Sequence, residues 1–283
     1  MKGVIFTDPS VTGYHSPGHP EAPWRVSRTA ARLRAAGFDL RAPSVRATGA
    51  DVRRVHSEEH WNAVETGLFF DADTPAHDGI AEIALTSLSG ALSAAEAAAV
   101  GTPAFSLMRP PGHHAGPERI AGFCYMNNLA IAVDRLARGG RSVAILDIDV
   151  HHGDGTEAVA LTRPDWFFVS LHQSPLYPGT GLASRGNCVN LPLAAGTDER
   201  AYLGALDGAL RLIADRKPEV LAVSAGFDTY KDCPIAGLAL DRPTYRRIGE
   251  RIAALGLPRF GVLEGGYADA LPELIENFLL GFF

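Results

Sequence analysis

The chain of 283 residues is organised around Ala144-Ile145-Leu146-Asp147-Ile148-Asp149-Val150-His151-His152-Gly153-Asp154-Gly155. Residues 143–146 are all apolar, which predicts a buried strand of a parallel sheet. Because side chains alternate along a strand, Asp147, Asp149 and His151 are expected on one side of it. Two carboxylates and an imidazole at the carboxyl end of a strand suit a divalent metal, and open α/β sheets bind ligands at that end. A strand end with solvated acids is the alternative interpretation.

Composition narrows the class of protein. With 46% hydrophobic residues the chain can bury a large core, and one domain over residues 1–283 is the simplest interpretation. We expect no membrane span, because no run of about 18 apolar residues occurs. The net charge of −6 argues against non-specific nucleic-acid binding. Three cysteines without metal-site spacing fit a reducing compartment, so we expect a cytoplasmic protein.

Strands and helices alternate along most of the sequence. Strands are predicted at residues 1–8, 104–107, 143–150, 166–172, 220–225 and 260–264. Helices are predicted at residues 25–36, 57–67, 79–100, 126–138, 155–162, 199–216 and 243–255, with an exposed connection at 45–55. This alternation predicts a mainly parallel sheet covered by helices on both faces.

Further chemical groups follow the predicted strands. The segment RPPGHHA at residues 109–115 places two adjacent histidines in a rigid loop, and buried histidines need partners. Asp228 follows strand 220–225, and Tyr267 follows two glycines after the last strand. Each has an ordinary explanation alone, since a strand-end acid is often a helix cap and a lone tyrosine usually packs. Together they are expected at one edge of one sheet, which indicates a functional site.

Six segments carry a more specific resemblance. They are residues 109–115 (RPPGHHA), 122–128 (GFCYMNN), 147–156 (DIDVHHGDGT), 170–181 (SLHQSPLYPGTG), 225–228 (AGFD) and 263–267 (LEGGY). The chain thereby resembles the zinc-dependent histone deacetylase family, including its acetylpolyamine amidohydrolase branch. The resemblance implies a single-domain arginase/deacetylase-like α/β fold around an eight-stranded, mainly parallel sheet. It also implies an amidohydrolase that removes acetyl groups from acetylated amines, giving acetate and a free amine.

The resemblance implies a role for each motif residue at the metal and at the reacting bond. The metal ligands would be Asp149, His151 and Asp228, holding one Zn²⁺ per chain with a position open. The catalytic residues would be His114, His113, Tyr267, Asp154 and Asp147. Among these, His114 resembles the general base oriented by Asp154, and His113 its neighbour paired with Asp147. Tyr267 resembles the phenol that donates a hydrogen bond to the substrate carbonyl.

The resemblance also implies a substrate channel and a structural potassium ion. The channel residues would be Phe123, Tyr177, Gly122, Asp73 and Ile235. In this set, Phe123 and Tyr177 would form aromatic walls, and Asp73 would be an acid at the rim. The monovalent cation site would include Asp147, Asp149, His151, Ser170 and Leu171.

Three features depart from the family pattern. Cys233 stands before Pro234 where the family usually has aspartate, and Ile235 stands where some polyamine-selective members carry glutamate. The segment before Asp73 lacks the insertion that forms a dimer contact in acetylpolyamine amidohydrolases. The substrate therefore stays open between an acetylated small amine and acetyl-lysine in a protein, and so does the oligomeric state.

Two other classes of function are alternatives to a zinc-dependent deacetylase. A binuclear-manganese ureohydrolase on the related fold needs a second acid two residues after Asp228, where this chain has Tyr230. A non-enzymatic module that binds acylated amines would not require the base or the phenol. Both His114 and Tyr267 are present, which favours the enzyme.

Overall fold

Eight strands form one sheet in the computed structural model, which describes residues 3–283. The strands are β1 Val4–Phe6, β2 Leu40–Arg41, β3 Ala104–Ser106, β4 Val143–Asp147, β5 Phe167–Gln173, β6 Cys188–Leu193, β7 Val220–Ala225 and β8 Arg259–Leu263. Their order across the sheet is β2-β1-β3-β8-β7-β4-β5-β6, and every neighbouring pair is parallel. The predicted eight-stranded parallel sheet is therefore confirmed.

Helices flank this sheet, as the alternating pattern predicts. They are α1 Trp24–Ala35, α2 Gly49–Val52, α3 Glu58–Thr66, α4 Ile80–Ala99, α5 Asn128–Arg138, α6 Asp154–Ala160, α7 Glu199–Arg216, α8 Arg242–Ala253 and α9 Leu271–Phe282, with a 3₁₀ turn at Pro9–Thr12. Across residues 3–283, every helix is too short or too polar to span a bilayer.

Strand β4 shows why both faces of the sheet are covered. All five of its residues are buried. Ala144 and Leu146 belong to the apolar cluster that α1, α7, α8 and α9 cover, while Val143 and Ile145 belong to the cluster under α3, α4 and α5. A strand buried on both faces loses the polar alternation of a surface strand, which explains its continuous apolar run.

The prediction that β4 extends to Val150 is wrong. The strand ends at Asp147, and beyond it the N–H groups of Asp149 and His151 bond to acidic side chains and not to a neighbouring strand. Asp147 Oδ1 accepts the N–H of Asp149 at 3.1 Å, and Asp149 Oδ1 accepts the N–H of His151 at 2.9 Å. Such local bonds compete with regular strand pairing. The chain therefore turns at the sheet edge and directs its acids and histidine into one pocket.

The sequence did not predict four of these strands and helices, and one predicted connection is corrected. The missed elements are β2, α2, β6 and α9. Strand β6 lies at the sheet edge and contains Pro192, so its pattern is only partly apolar. Residues 45–55 are not an exposed connection throughout, because Ala47, Val52 and Val55 are buried beneath α4 and its neighbours.

Candidate active site

Four neighbouring strands, β3, β8, β7 and β4, end at the same edge of the sheet. The histidine pair follows β3, Asp149 and His151 follow β4, Asp228 follows β7, and Tyr267 follows β8. Parallel strands bring their carboxyl ends to one edge, where open α/β folds form their sites. Residues separated by more than a hundred positions are thereby brought together.

Asp149, His151 and Asp228 form a buried group with the geometry of a metal site. One ligand atom from each lies within 4.8 Å of the other two. His151 Nδ1 is 3.1 Å from Asp149 Oδ1 and 3.3 Å from Asp228 Oδ2. Asp228 Oδ2 is buried and accepts no hydrogen bond, so one oxygen of the group lacks a partner. A buried, unpaired carboxylate oxygen is costly unless a cation satisfies it, and this set of donors suits Zn²⁺.

The charges of this group also fit a divalent cation. Burial alone would lower the pKa of His151, but the hydrogen bond to Asp149 and the charges of Asp149 and Asp228 raise it to about 9. Burial and the nearby Asp149 raise the pKa of Asp228. Asp149 thus makes ionisation of Asp228 unfavourable, while the imidazole is held beside both acids. A dication would relieve this repulsion, since buried carboxylates need positive charge close by.

Backbone groups orient the two carboxylates. Asp149 Oδ2 accepts the N–H of Gly265 at 2.7 Å, and Asp228 Oδ1 accepts the N–H of Val150 at 2.9 Å. A Cβ atom at Gly265 would lie 2.0 Å from Asp228 Oδ2, so only glycine lets the backbone approach this closely. The chain after β8 therefore forms one wall of the metal pocket.

The two histidines are each paired with a different carboxylate. His114 Nδ1 lies 2.7 Å from Asp154 Oδ1, and His113 Nδ1 lies 3.1 Å from Asp147 Oδ2. The pKa of Asp154 is held at about 2: burial would raise it, but its bond to His114 and the charge of Arg119 lower it. An ionised carboxylate only accepts, so His114 Nδ1 carries the proton and Nε2 has a free lone pair.

The two rings differ in their tendency to bind a proton. Burial, together with the charge of His113, lowers the pKa of His114 to about 3. For His113, burial acts in the same direction, but the charges of Asp149 and Asp147 raise its pKa well above the usual value. His114 is therefore neutral near pH 7 and able to accept a proton at Nε2.

Glu264 fixes the loop that carries the histidines. Its Oε2 accepts the N–H of Gly112 at 2.7 Å and that of His113 at 3.1 Å, while Oε1 accepts from Ser224 Oγ at 3.1 Å. Burial raises the pKa of Glu264 to about 7. The sequence identified this residue only as part of the LEGGY motif, because nothing local shows that its carboxylate reaches another loop.

Arg25 supports Tyr267 from below, and sequence reasoning missed it. Its Nε donates to the carbonyl of Gly266 at 2.8 Å, and its Nη2 donates to the carbonyl of Glu264. The guanidinium lies 4.8 Å from the centre of the Tyr267 ring. Arg25 is fully buried and pairs with Glu21 at 3.1 Å. The sequence does not distinguish Arg25 from the other arginines of α1, which are exposed.

A cavity of about 220 Å³ leads to this group. Its lining includes Asp73, Pro111, His113, His114, Gly122, Phe123, His151, Leu176, Tyr177, Ile235, Gly265 and Tyr267. The Phe123 ring lies 5.7 Å from the Tyr267 ring, and the Tyr177 ring lies 5.0 Å from that of His114. All five residues predicted for the channel therefore lie around one cavity, whose lining also includes His151 of the metal group and the Tyr267 phenol.

The rim of the cavity combines an acid with apolar groups. Asp73 is exposed, Ile235 is half-buried and Tyr177 remains 40% exposed. Gly122 lies against His114, since a Cβ there would be 2.5 Å from His114 Cδ2. Cys233 is buried, and burial raises the pKa of its thiol to about 12. It is therefore a neutral group where the family usually has a carboxylate.

The residues predicted for a monovalent cation overlap the metal group, and the three that are not part of it lie on β4 and β5. Asp147 on β4 is the register partner of Ser170 on β5, and both are buried, as is Leu171. Ser170 Oγ lies 2.9 Å from His172 Nδ1. Asp149 and His151 follow directly after β4, so the five residues share the region where β4 and β5 end.

Comparisons with known proteins agree with this geometry. Residues 19–281 match the family model of the histone deacetylase domain. A probable deacetylase of Archaeoglobus fulgidus is 37% identical, covering 96% of this chain and 83% of that protein. Acetylpolyamine amidohydrolase 1 of Pseudomonas aeruginosa is 43% identical, covering 77% and 67%. The crystal structure of acetylpolyamine aminohydrolase from Burkholderia pseudomallei superposes with a TM-score of 0.93 at 30% identity, covering 99% of this chain and 98% of that one.

Proposed function

Because the chain belongs to the histone deacetylase family, we propose that it is a deacetylase that hydrolyses acetylated amines to acetate and free amine. One observation carries the proposal: the buried Asp149, His151 and Asp228 group lies beside a neutral His114, and both histidines line one cavity. A metal group, a base and a cavity that admits the substrate are the parts that amide hydrolysis needs. We further propose that residues 1–283 act as one deacetylase domain in the cytoplasm.

The group of two aspartates and one histidine would hold one Zn²⁺ per chain. Zn²⁺, when bound, supplies Lewis-acid polarisation of a carbonyl and makes water more acidic. The unpaired Oδ2 of Asp228 supports this assignment. A structural potassium ion at the site formed with Ser170 and Leu171 is a second proposal, supported by the buried Asp147 carboxylate beside Ser170.

His114 would act as the general base. Its Nε2 would take a proton from the attacking water and later deliver that proton to the departing amine. Asp154 holds the ring in the required tautomer through Nδ1. His113, paired with Asp147, packs against the base with ring centres 4.0 Å apart and limits its rotation.

Tyr267 would stabilise the charge that develops on the carbonyl oxygen. Burial raises the pKa of its phenol well above 10, so the hydroxyl stays a donor at neutral pH. Arg25 donates a hydrogen bond to the carbonyl of Gly266, the residue before Tyr267, and so fixes the backbone that carries the phenol. A donor fixed in advance loses little by reorganisation when charge appears.

Changing Tyr267 to phenylalanine removes only that hydroxyl. We expect kcat to fall by roughly 10²–10³, the usual effect of losing one such donor. The KM should change little, because the hydrogen bond strengthens mainly in the transition state. Steady-state kinetics with an acetylated amine measure both constants. A loss carried entirely by KM would make Tyr267 a binding residue and contradict the assigned role.

For the substrate, we propose an acetylated small amine, such as an acetylpolyamine, ahead of acetyl-lysine in proteins. Phe123 and Tyr177 leave a slot for an unbranched alkyl amine, which both substrates contain. The exposed Asp73 at the rim and the net charge of −6 favour a substrate that stays cationic outside the channel. Ile235, an apolar group at the same rim, is the observation that favours protein lysine deacetylation as the second candidate.

The test of both candidates is release of free acetate. Acetylputrescine, acetylspermidine and an acetyl-lysine peptide are compared by kcat/KM under identical conditions. We expect the small amines to be at least as good as the peptide. A peptide preference above about tenfold, roughly 1.4 kcal/mol, would overturn the small-molecule proposal and leave the mechanism in place. Failure to release acetate from any of them would reject the deacetylase and favour a module that only binds acylated amines.

A further inference from the structure

We propose that Arg119 is a positioning residue for the general base and acts through Asp154. This inference rests on the proposed function, in which His114 is the base. Asp154 has two carboxylate oxygens, and each has one partner. Oδ1 lies 2.7 Å from His114 Nδ1, and Oδ2 accepts a hydrogen bond from Arg119 Nη2. Within residues 3–283, Arg119 is the sole hydrogen-bond donor to Oδ2.

The surroundings of this ion pair differ at its two ends. The Asp154 side chain is 7% exposed, whereas the Arg119 side chain is 54% exposed. An ion pair between two exposed groups contributes little, but a buried carboxylate oxygen that loses its partner is strongly unfavourable. Since Arg119 reaches the buried acid from the surface, its removal would leave no hole in the core. It would leave the carboxylate free to turn about its own bond.

Backbone contacts hold Arg119 in place. Gly116 N–H donates to the Arg119 carbonyl at 2.9 Å, closing a tight hairpin directly after the histidine pair. The Pro117 carbonyl accepts the N–H of Ser57 at 2.9 Å, which ties the hairpin to the start of α3. The guanidinium is thus presented to Asp154 from a fixed loop. An outer partner anchored in this way can set the angle of the group it holds.

The consequence for His114 follows from its hydrogen bond. The ring keeps its tautomer and direction only while Asp154 Oδ1 points at Nδ1. With Oδ2 anchored, the carboxylate has one orientation, and Nε2 faces the cavity. Without Arg119, the same carboxylate can turn, and the base spends part of its time misaligned. Rate then falls although substrate binding is unchanged.

The test begins with Arg119→Met, which keeps much of the length of the aliphatic side chain but removes the positive charge and the hydrogen-bond donor to Asp154. We expect kcat to fall by about tenfold or more, as is usual when an outer hydrogen-bond partner of a catalytic group is removed, with KM unchanged. Arg119→Lys keeps a cation within reach of Oδ2 and should restore most of the rate.

The matched control is Arg138→Met. Arg138 is 57% exposed and bonds to Asp134, which is 5% exposed, at 2.7 Å. This control should keep full activity.

A double-mutant cycle and one spectroscopic measurement decide the proposal. If Arg119 acts through Asp154, then Arg119→Met should add no further loss to Asp154→Asn, since the two changes act on one unit. The proton on His114 Nδ1 should also change its downfield ¹H resonance in Arg119→Met and not in Arg138→Met. An additive cycle, a loss confined to KM or an unchanged resonance would each overturn the proposal. Absence of acetate release by the unmodified protein would instead reject the proposed function, and the resonance would still decide whether Arg119 positions His114.

Discussion

Changing Asp228 to alanine is expected to abolish metal binding and activity together. Asp228 Oδ2 is the buried oxygen without a hydrogen-bond partner, and it lies 3.3 Å from His151 Nδ1. Its removal leaves two protein ligands, one fewer than the three that catalytic zinc sites use. The measurements are metal content after dialysis against a metal-free buffer and acetate release before and after addition of Zn²⁺. We expect no bound metal, and no activity above background.

Asp134→Ala is the control for loss of a buried carboxylate as such. Asp134 lies on α5, is 5% exposed and pairs with Arg138, so its replacement should lower stability without removing metal. Full metal occupancy and activity in the Asp228 variant would show that the ligands have been assigned wrongly. A variant that keeps metal but loses activity would make Asp228 a group that orients substrate.

Changing His114 to alanine should lower kcat by about 10²–10⁴, the usual contribution of a general base, while the metal stays bound. The reason is that His114 is bonded to Asp154 and is not one of the metal group. Metal analysis and single-turnover kinetics on the same preparation separate the two effects. His114→Gln is the companion variant, since it retains much of the side-chain volume but cannot carry the proton. Equal losses in both variants would exclude a cavity as the cause, and near-normal turnover in either would show that another group is the base.

The sequence predicted the candidate site where a chemically reactive side chain follows directly after an apolar strand. Asp149, Asp228 and Tyr267 each follow an apolar strand, and parallel strands must end at the same edge. The local reason for Asp149 and His151 was nevertheless wrong. They are brought together by side-chain bonds to the backbone after β4 has ended, as the bond from His151 N–H to Asp149 Oδ1 shows.

Other parts could not be predicted because their causes are not local. Arg25 resembles the other arginines of α1 in sequence, and only contacts with the loop after β8 distinguish it. Strand β2 has two residues and lies at the edge of the sheet, so it carries no periodic pattern. The link from Arg119 to Asp154 depends on the hairpin that follows the histidine pair, and hairpin geometry is set by backbone bonds.

The contact between Arg25 and the Gly266 carbonyl has a consequence for how the protein comes to be active. The two residues are 241 positions apart, so this bond closes one of the longest loops in the chain. Closing such a loop costs entropy that only later contacts repay, and folding during synthesis starts from the N-terminal side. The nascent chain can assemble β1 and its neighbours while the phenol is still unsynthesised. The contacts of Arg25 with the Glu264 and Gly266 carbonyls can form only after the last strand has been synthesised. Catalytic competence is therefore among the final properties that each newly made molecule acquires.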